Sequence, residues 1–265
     1  RGLWLCGKNC WGDYWVGASE MLRGKSYRVV VPEQIGCCSA DLPHRYQYSF
    51  HQLANNTRAL LDALGIDQTI VVAHSMGGML GTRYALKYPA AVQRLVLVNP
   101  IGLEDWIKLG VPHTPVDEAY AAERKKDFES IKQYQLRSYY DGQWSPAYER
   151  WARRLASLYE GERGEAVAWS QALTYDMLQT QPVVHEFADL AVPTLLIIGQ
   201  RDRTAPGRNK APEAVARSLG DYPQLGRKAA KAIPNAELVE FDGLGHLPQI
   251  EDFDRYAEAL TDYLR

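Results

Sequence analysis

The sequence predicts an α/β protein built on a doubly wound, mostly parallel sheet flanked by helices. Three observations predict it. Apolar runs of strand length recur along the chain, amphipathic stretches of helical length separate them, and the two alternate. The candidate strands are 2–5, 27–31, 69–73, 94–98, 194–198 and 237–241. Their near-continuous Val, Ile and Leu content suits strands buried on both faces.

The helices follow in order. Phe50, Leu53, Ala54, Thr57, Leu60, Leu61 and Leu64 fall on one helical stripe. Ser49, with Gln52 three residues on, reads as a capping box, and Gly65 as a C-terminal stop. Residues 76–88 read as a second helix, closed by Pro89. Phe253, Tyr256, Ala257, Leu260 and Leu264 give a last helix its inner face. Between 100 and 190 the alternation breaks. This stretch is charged and aromatic, has no convincing strand, and shows helical spacing over 148–159 and 164–178. It reads as an inserted helical cap, dividing the chain into a core of 1–99 and 191–265 and a cap of 100–190. Its aromatics read first as packing of a small subdomain, with a few lining a pocket.

Composition narrows the function classes. The 265 residues are 46% hydrophobic and 23% charged, the balance of an ordinary globular chain. Thirty Lys and Arg against 32 Asp and Glu leave a formal charge of −2, so no basic excess is available to coat a phosphate backbone. No apolar run approaches the roughly 18 residues of a membrane helix. The abrupt start, Arg1-Gly2-Leu3-Trp4-Leu5, carries no signal peptide and suggests a trimmed N-terminus. Oligomeric state is not legible.

One motif carries chemistry. The strand 69–73 runs into His74-Ser75-Met76-Gly77-Gly78, and a helix follows. A tight strand-to-helix turn through Ser75 needs small residues two positions before and after it, which Ala73 and Gly77 supply. Such a turn lifts the hydroxyl above the sheet and aims a helix N-terminus at it. A serine hydroxyl is a weak nucleophile until a base takes its proton. An acid and then a histidine should therefore follow, each just past a strand. Asp202 follows the strand 194–198, and His246 follows 237–241. Asn99 sits where an alternative acid could lie but cannot carry the charge; Asp242 is a weaker rival. His74 reads as a support of the turn.

These residues resemble the α/β-hydrolase family of esterases, lipases and peptidases. The resemblance covers nearly the whole chain. It rests on Ala73-His74-Ser75-Met76-Gly77-Gly78, Gly199-Gln200-Arg201-Asp202, and Gly245-His246-Leu247-Pro248 with Glu251. Ala73 departs from the usual glycine. In that family the loop after the first strand begins His-Gly and supplies one backbone N–H to an oxyanion hole. The residue after the nucleophile supplies the other. Carried onto this chain, the resemblance implies Lys8 and Met76, a donor pair in which each member is worth about 3 kcal/mol.

The chain departs from that pattern at its four cysteines. Cys6 stands where the loop histidine is expected, and Cys10, Cys37 and Cys38 replace bulkier or smaller residues nearby. The first two strands should be neighbours, so the four thiols are expected to converge beside Ser75. Three readings compete: a metal centre, with a [4Fe–4S] cluster favoured over zinc; disulfides between the loops; or free thiols. A cluster would serve to pin the oxyanion loop, and a labile cluster favours a reducing cytoplasm, although a trimmed start leaves export open.

The sequence therefore predicts a serine carboxylesterase acting on a small-molecule ester through Ser75, His246 and Asp202. Hydrolysis itself requires no cofactor. An amidase or peptidase, a lactonase, a carbon–carbon bond hydrolase or an acyltransferase uses the same residues. A slow small-molecule receptor and a cysteine-based redox sensor are the readings outside that chemistry.

Overall fold

The computed structural model describes residues 1–8, 11–25, 27–38, 40–43 and 45–265. Cys10, one of the four cysteines above, lies outside the described residues, as does His44. The strands are β1 (Gly2–Leu5), β2 (Val29–Val30), β3 (Thr69–His74), β4 (Val92–Val98), β5 (Thr194–Gly199) and β6 (Ala236–Phe241). They form one parallel sheet in the order β2-β1-β3-β4-β5-β6. The predicted strand over 27–31 contracts to Val29 and Val30, which pair only with Gly2 and Leu3 at the sheet edge. The strand predicted from 94 starts at Val92.

Side-chain alternation divides the core into two layers. Leu95 and Leu97 of β4 join Leu3, Leu5, Val71, Ala73, Leu196 and Ile198 on one face. Val96 and Val98 join Trp4, Ile70, Val72, Leu195 and Ile197 on the other. The first face is covered by α2 (Phe50–Ala63), α3 (Met76–Lys87) and α9 (Tyr222–Ala232). The second is covered by α1 (Val16–Arg23) and α11 (Phe253–Leu264), through Ala18, Leu22, Tyr256 and Leu260. Each fully buried leucine of these layers contributes about 2 kcal/mol of transfer free energy. Helix α2 starts at Ser49, whose Oγ accepts from Gln52 N at 3.0 Å. The expected capping box is not completed, because the Gln52 amide turns outward to Asn56 instead. Gly65 does follow the helix end in the left-handed region, with φ 64°.

Between β4 and β5 lie α4 (Val116–Glu123), α5 (Phe128–Ser138), α6 (Pro146–Ala156) and α7 (Gly164–Thr180). The short helices α8 (Glu213–Ser218) and α10 (Pro248–Glu251) complete the set of α-helices among the described residues. None is long and apolar enough to cross a membrane. Because every strand runs the same way, the segments after β1, β3, β4, β5 and β6 all leave the sheet at one edge. The order reverses between β1 and β3, where ligands bind in open α/β sheets.

Candidate active site

Ser75 occupies the turn between β3 and α3, with φ 57° and ψ −123°. A non-glycine residue there is strained by about 1–3 kcal/mol, so its surroundings must hold it. Ser75 N donates to Val98 O at 3.3 Å, and Ser75 O accepts from Gly78 N at 2.9 Å and Ile101 N at 3.1 Å. Close approach explains two glycines. A Cβ on Gly77 would lie 2.3 Å from Leu5 O, and one on Gly7 would lie 2.8 Å from Ser75 Cβ and 3.1 Å from its Oγ. The segment after β1 therefore passes directly against the serine, with Lys8 the next residue. Met76 is the first residue of α3, where helical geometry gives the N–H no intrahelical acceptor.

Asp202 and His246 meet across the next two loops. Both are fully buried, and His246 Nδ1 lies 2.6 Å from Asp202 Oδ2. An ionised carboxylate only accepts, so Nδ1 carries the proton and Nε2 is left as the basic nitrogen. Nε2 is buried and has no protein hydrogen bond among the described residues. Asp242, the rival acid, is exposed.

The acid and the imidazole are each held by further groups. Asn99, at the end of β4, donates through Nδ2 to Asp202 Oδ2 at 2.9 Å, and its Oδ1 accepts from Gly199 N at 2.9 Å. Thr204 N donates to Asp202 Oδ1 at 2.8 Å. The Tyr139 ring lies over the His246 imidazole, centroids 4.3 Å apart, and Tyr139 O accepts from His246 N at 2.9 Å. Glu251 accepts from Gly245 N at 2.9 Å and Leu247 N at 3.0 Å, clamping the backbone on both sides of the histidine. Burial raises the Glu251 pKa, opposed by those two N–H donors. His74 Nε2 donates to His246 O at 2.8 Å. Burial, and then the neighbouring His246, hold the His74 imidazole well below its usual range and so neutral. His74 thus ties the serine turn to the histidine loop. Asn99 was visible in the sequence only as a possible acid position. Tyr139 carried no signal, because it lies over 100 residues from its partner in sequence.

A cavity of about 480 Å³ opens onto Ser75 and Lys8. Its walls come from α4, α5 and α7 and from the segment 203–210 after Asp202. Inside it the Lys8 ammonium lies 2.8 Å from Glu123, and the Lys126 ammonium lies 2.7 Å from the same carboxylate. Tyr159 also donates to Glu123, at 2.6 Å. Burial, opposed by Glu123, pushes the Lys8 pKa down to about 8. Burial alone would raise Glu123, but the two ammonium groups hold its carboxyl well below the usual range.

Three of the four cysteines lie among the described residues, and Cys6, Cys37 and Cys38 are all buried. Period-two alternation sends Cys6 to the face of Trp4, where its Sγ accepts the Trp15 indole N–H at 3.1 Å. Cys37 and Cys38 pack into the opposite apolar layer. Cys6 and Cys37 are free thiols, and burial pushes the Cys37 pKa up to about 12. Among the described residues no three His, Cys, Asp or Glu side chains gather as a metal ion requires.

Known proteins are similar to this chain over most of its length. The alpha/beta hydrolase fold family matches residues 5–253. A probable hydrolytic enzyme from Pseudomonas aeruginosa PAO1 is 50% identical, superimposes with a TM-score of 0.97, and is matched over 99% of this chain and 84% of its own. A 2-hydroxymuconate semialdehyde hydrolase from Pseudomonas putida is 25% identical over 94% of this chain and 80% of its own length. An enol-lactonase from Burkholderia xenovorans LB400, 20% identical with a TM-score of 0.71 over 99% of this chain and 90% of its own, shares the fold. On a match spanning both the serine turn and the histidine loop, the chain belongs to the α/β-hydrolase family.

Proposed function

We propose that the chain is a serine hydrolase that cleaves a small carboxylic ester through an acyl-enzyme. Ser75 attacks the carbonyl carbon while His246 Nε2 takes its proton. Collapse of the tetrahedral intermediate returns that proton to the leaving alcohol, and water repeats the sequence on the acyl-serine. Asp202 fixes the tautomer and stabilises the imidazolium. The N–H groups of Met76 and Lys8 receive the developing oxyanion, and α4–α7 serve as the cap over the reacting centre. The observation that carries this reading is the buried 2.6 Å Asp202–His246 contact at the same sheet edge as a strained serine. Nucleophile, base and acid are all side chains of the chain, so the reading invokes no cofactor.

A second reading is favoured by one comparison. The relative named 2-hydroxymuconate semialdehyde hydrolase carries no ester in its substrate name. The same serine and histidine would then assist addition of water to a ketone and cleavage of the adjacent carbon–carbon bond. A panel of para-nitrophenyl esters and vinylogous ketones separates the two. Ser75→Ala is expected to lower turnover roughly a million-fold with the fold intact. Near-normal ester hydrolysis by that variant would overturn both readings.

A further inference from the structure

We propose that the cavity takes substrates bearing a carboxylate away from the reacting bond, and that Gln135 reads this carboxylate. The proposal rests on the serine-hydrolase reading for the reacting end and specifies the other end. Ile131, Tyr134, Gln135 and Ser138, spaced as one face of α5, line the cavity. Gln135 is 1% exposed, yet neither Nε2 nor Oε1 has a protein partner. Buried carboxamides are almost always bonded, so one turned into a substrate cavity is a donor and acceptor held for a ligand.

Charge specifies the ligand. Lys8 and Lys126 share the single buried carboxylate of Glu123, leaving one positive charge in excess around it. Arg137, Arg203, Arg208 and Lys210 also line the cavity, and Glu123 is the only carboxylate that does so among the described residues. Lys210 is paired with Glu118 and Arg203 with Asp141, but Arg208 donates to a backbone carbonyl, which leaves its charge standing. A neutral acyl chain would leave both the carboxamide and this field unmet. A carboxylate accepts from Gln135 Nε2 and offsets the excess charge.

The test compares para-nitrophenyl glutarate, which ends in a carboxylate, with para-nitrophenyl valerate, which ends in a methyl. The ratio of their kcat/KM values is expected to favour the glutarate ester about tenfold or more at low salt, mostly through KM. Raising NaCl to about 0.5 M should shrink that preference. Gln135→Leu and Lys126→Met are each expected to cut the ratio about fivefold. A wild-type ratio of one or below, or a ratio unmoved in both variants, would overturn the proposal. A separate arm titrates glutarate into the Ser75→Ala protein by calorimetry. Binding that weakens about fivefold on adding Gln135→Leu supports the carboxylate site even if neither ester turns over, which would sink only the serine reading. Absence of glutarate binding there overturns the carboxylate site and leaves Ser75 untouched.

Discussion

Asp202 accepts from Asn99 and Thr204 while it holds His246, so its charge is fixed in place before any substrate arrives. Removing the amide in Asn99→Ala strips one charge-assisted bond, and is expected to cost about 2 kcal/mol of stability in a denaturant melt. It should also lower kcat about tenfold, because a mobile acid leaves the imidazole less well oriented. Unchanged values for both would mean that Thr204 alone suffices. The meeting of Asp202 and His246 was legible in the sequence because each lies in the loop just past an apolar run of strand length. Asn99 was legible as a position but not as a partner, since its contact spans 103 residues. The layer that each cysteine enters was not legible. Sequence neighbours on a strand point to opposite faces, and Cys6 follows the face of Trp4 rather than that of Leu5.

The loops that bear these residues depend on small contacts between elements. A methyl on Gly77 would meet the Leu5 carbonyl at 2.3 Å, a backbone atom with little freedom to move. Gly77→Ala should therefore shift the serine turn, and a loss of about 2 kcal/mol or more in thermal unfolding is expected, with activity falling further than stability. Full activity in that variant would show that α3 can slide on β1. The histidine loop leans on α10, because Glu251 bonds the backbone on either side of His246. Glu251→Ala leaves two buried N–H groups unpaired and is expected to cost about 2 kcal/mol. The sequence marked the strand-helix rhythm of the core and the helical character of 100–190. It did not show that α4 reaches back to the β1 segment, because the Lys8–Glu123 contact joins residues 115 apart.

Across the whole molecule a net charge of −2 conceals a cavity with the opposite sign. Lys8 supplies a pH signature for that cavity. Below about pH 8 its ammonium keeps the contact with Glu123, and above it the charge is lost. Activity on an anionic ester is therefore expected to fall as pH rises through about 8. Glu123 holds the Lys8 pKa up, so Glu123→Gln should move that limb to lower pH, and Lys8→Met should abolish it. A pH–rate profile identical in all three proteins would show that Lys8 does not set this limb. Labelling with a fluorophosphonate followed by peptide mass mapping asks whether this fold activates one serine. A single adduct is expected on Ser75, lost in Ser75→Ala and strongly slowed in His246→Ala. Modification at another residue, or none while ester hydrolysis proceeds, would contradict it.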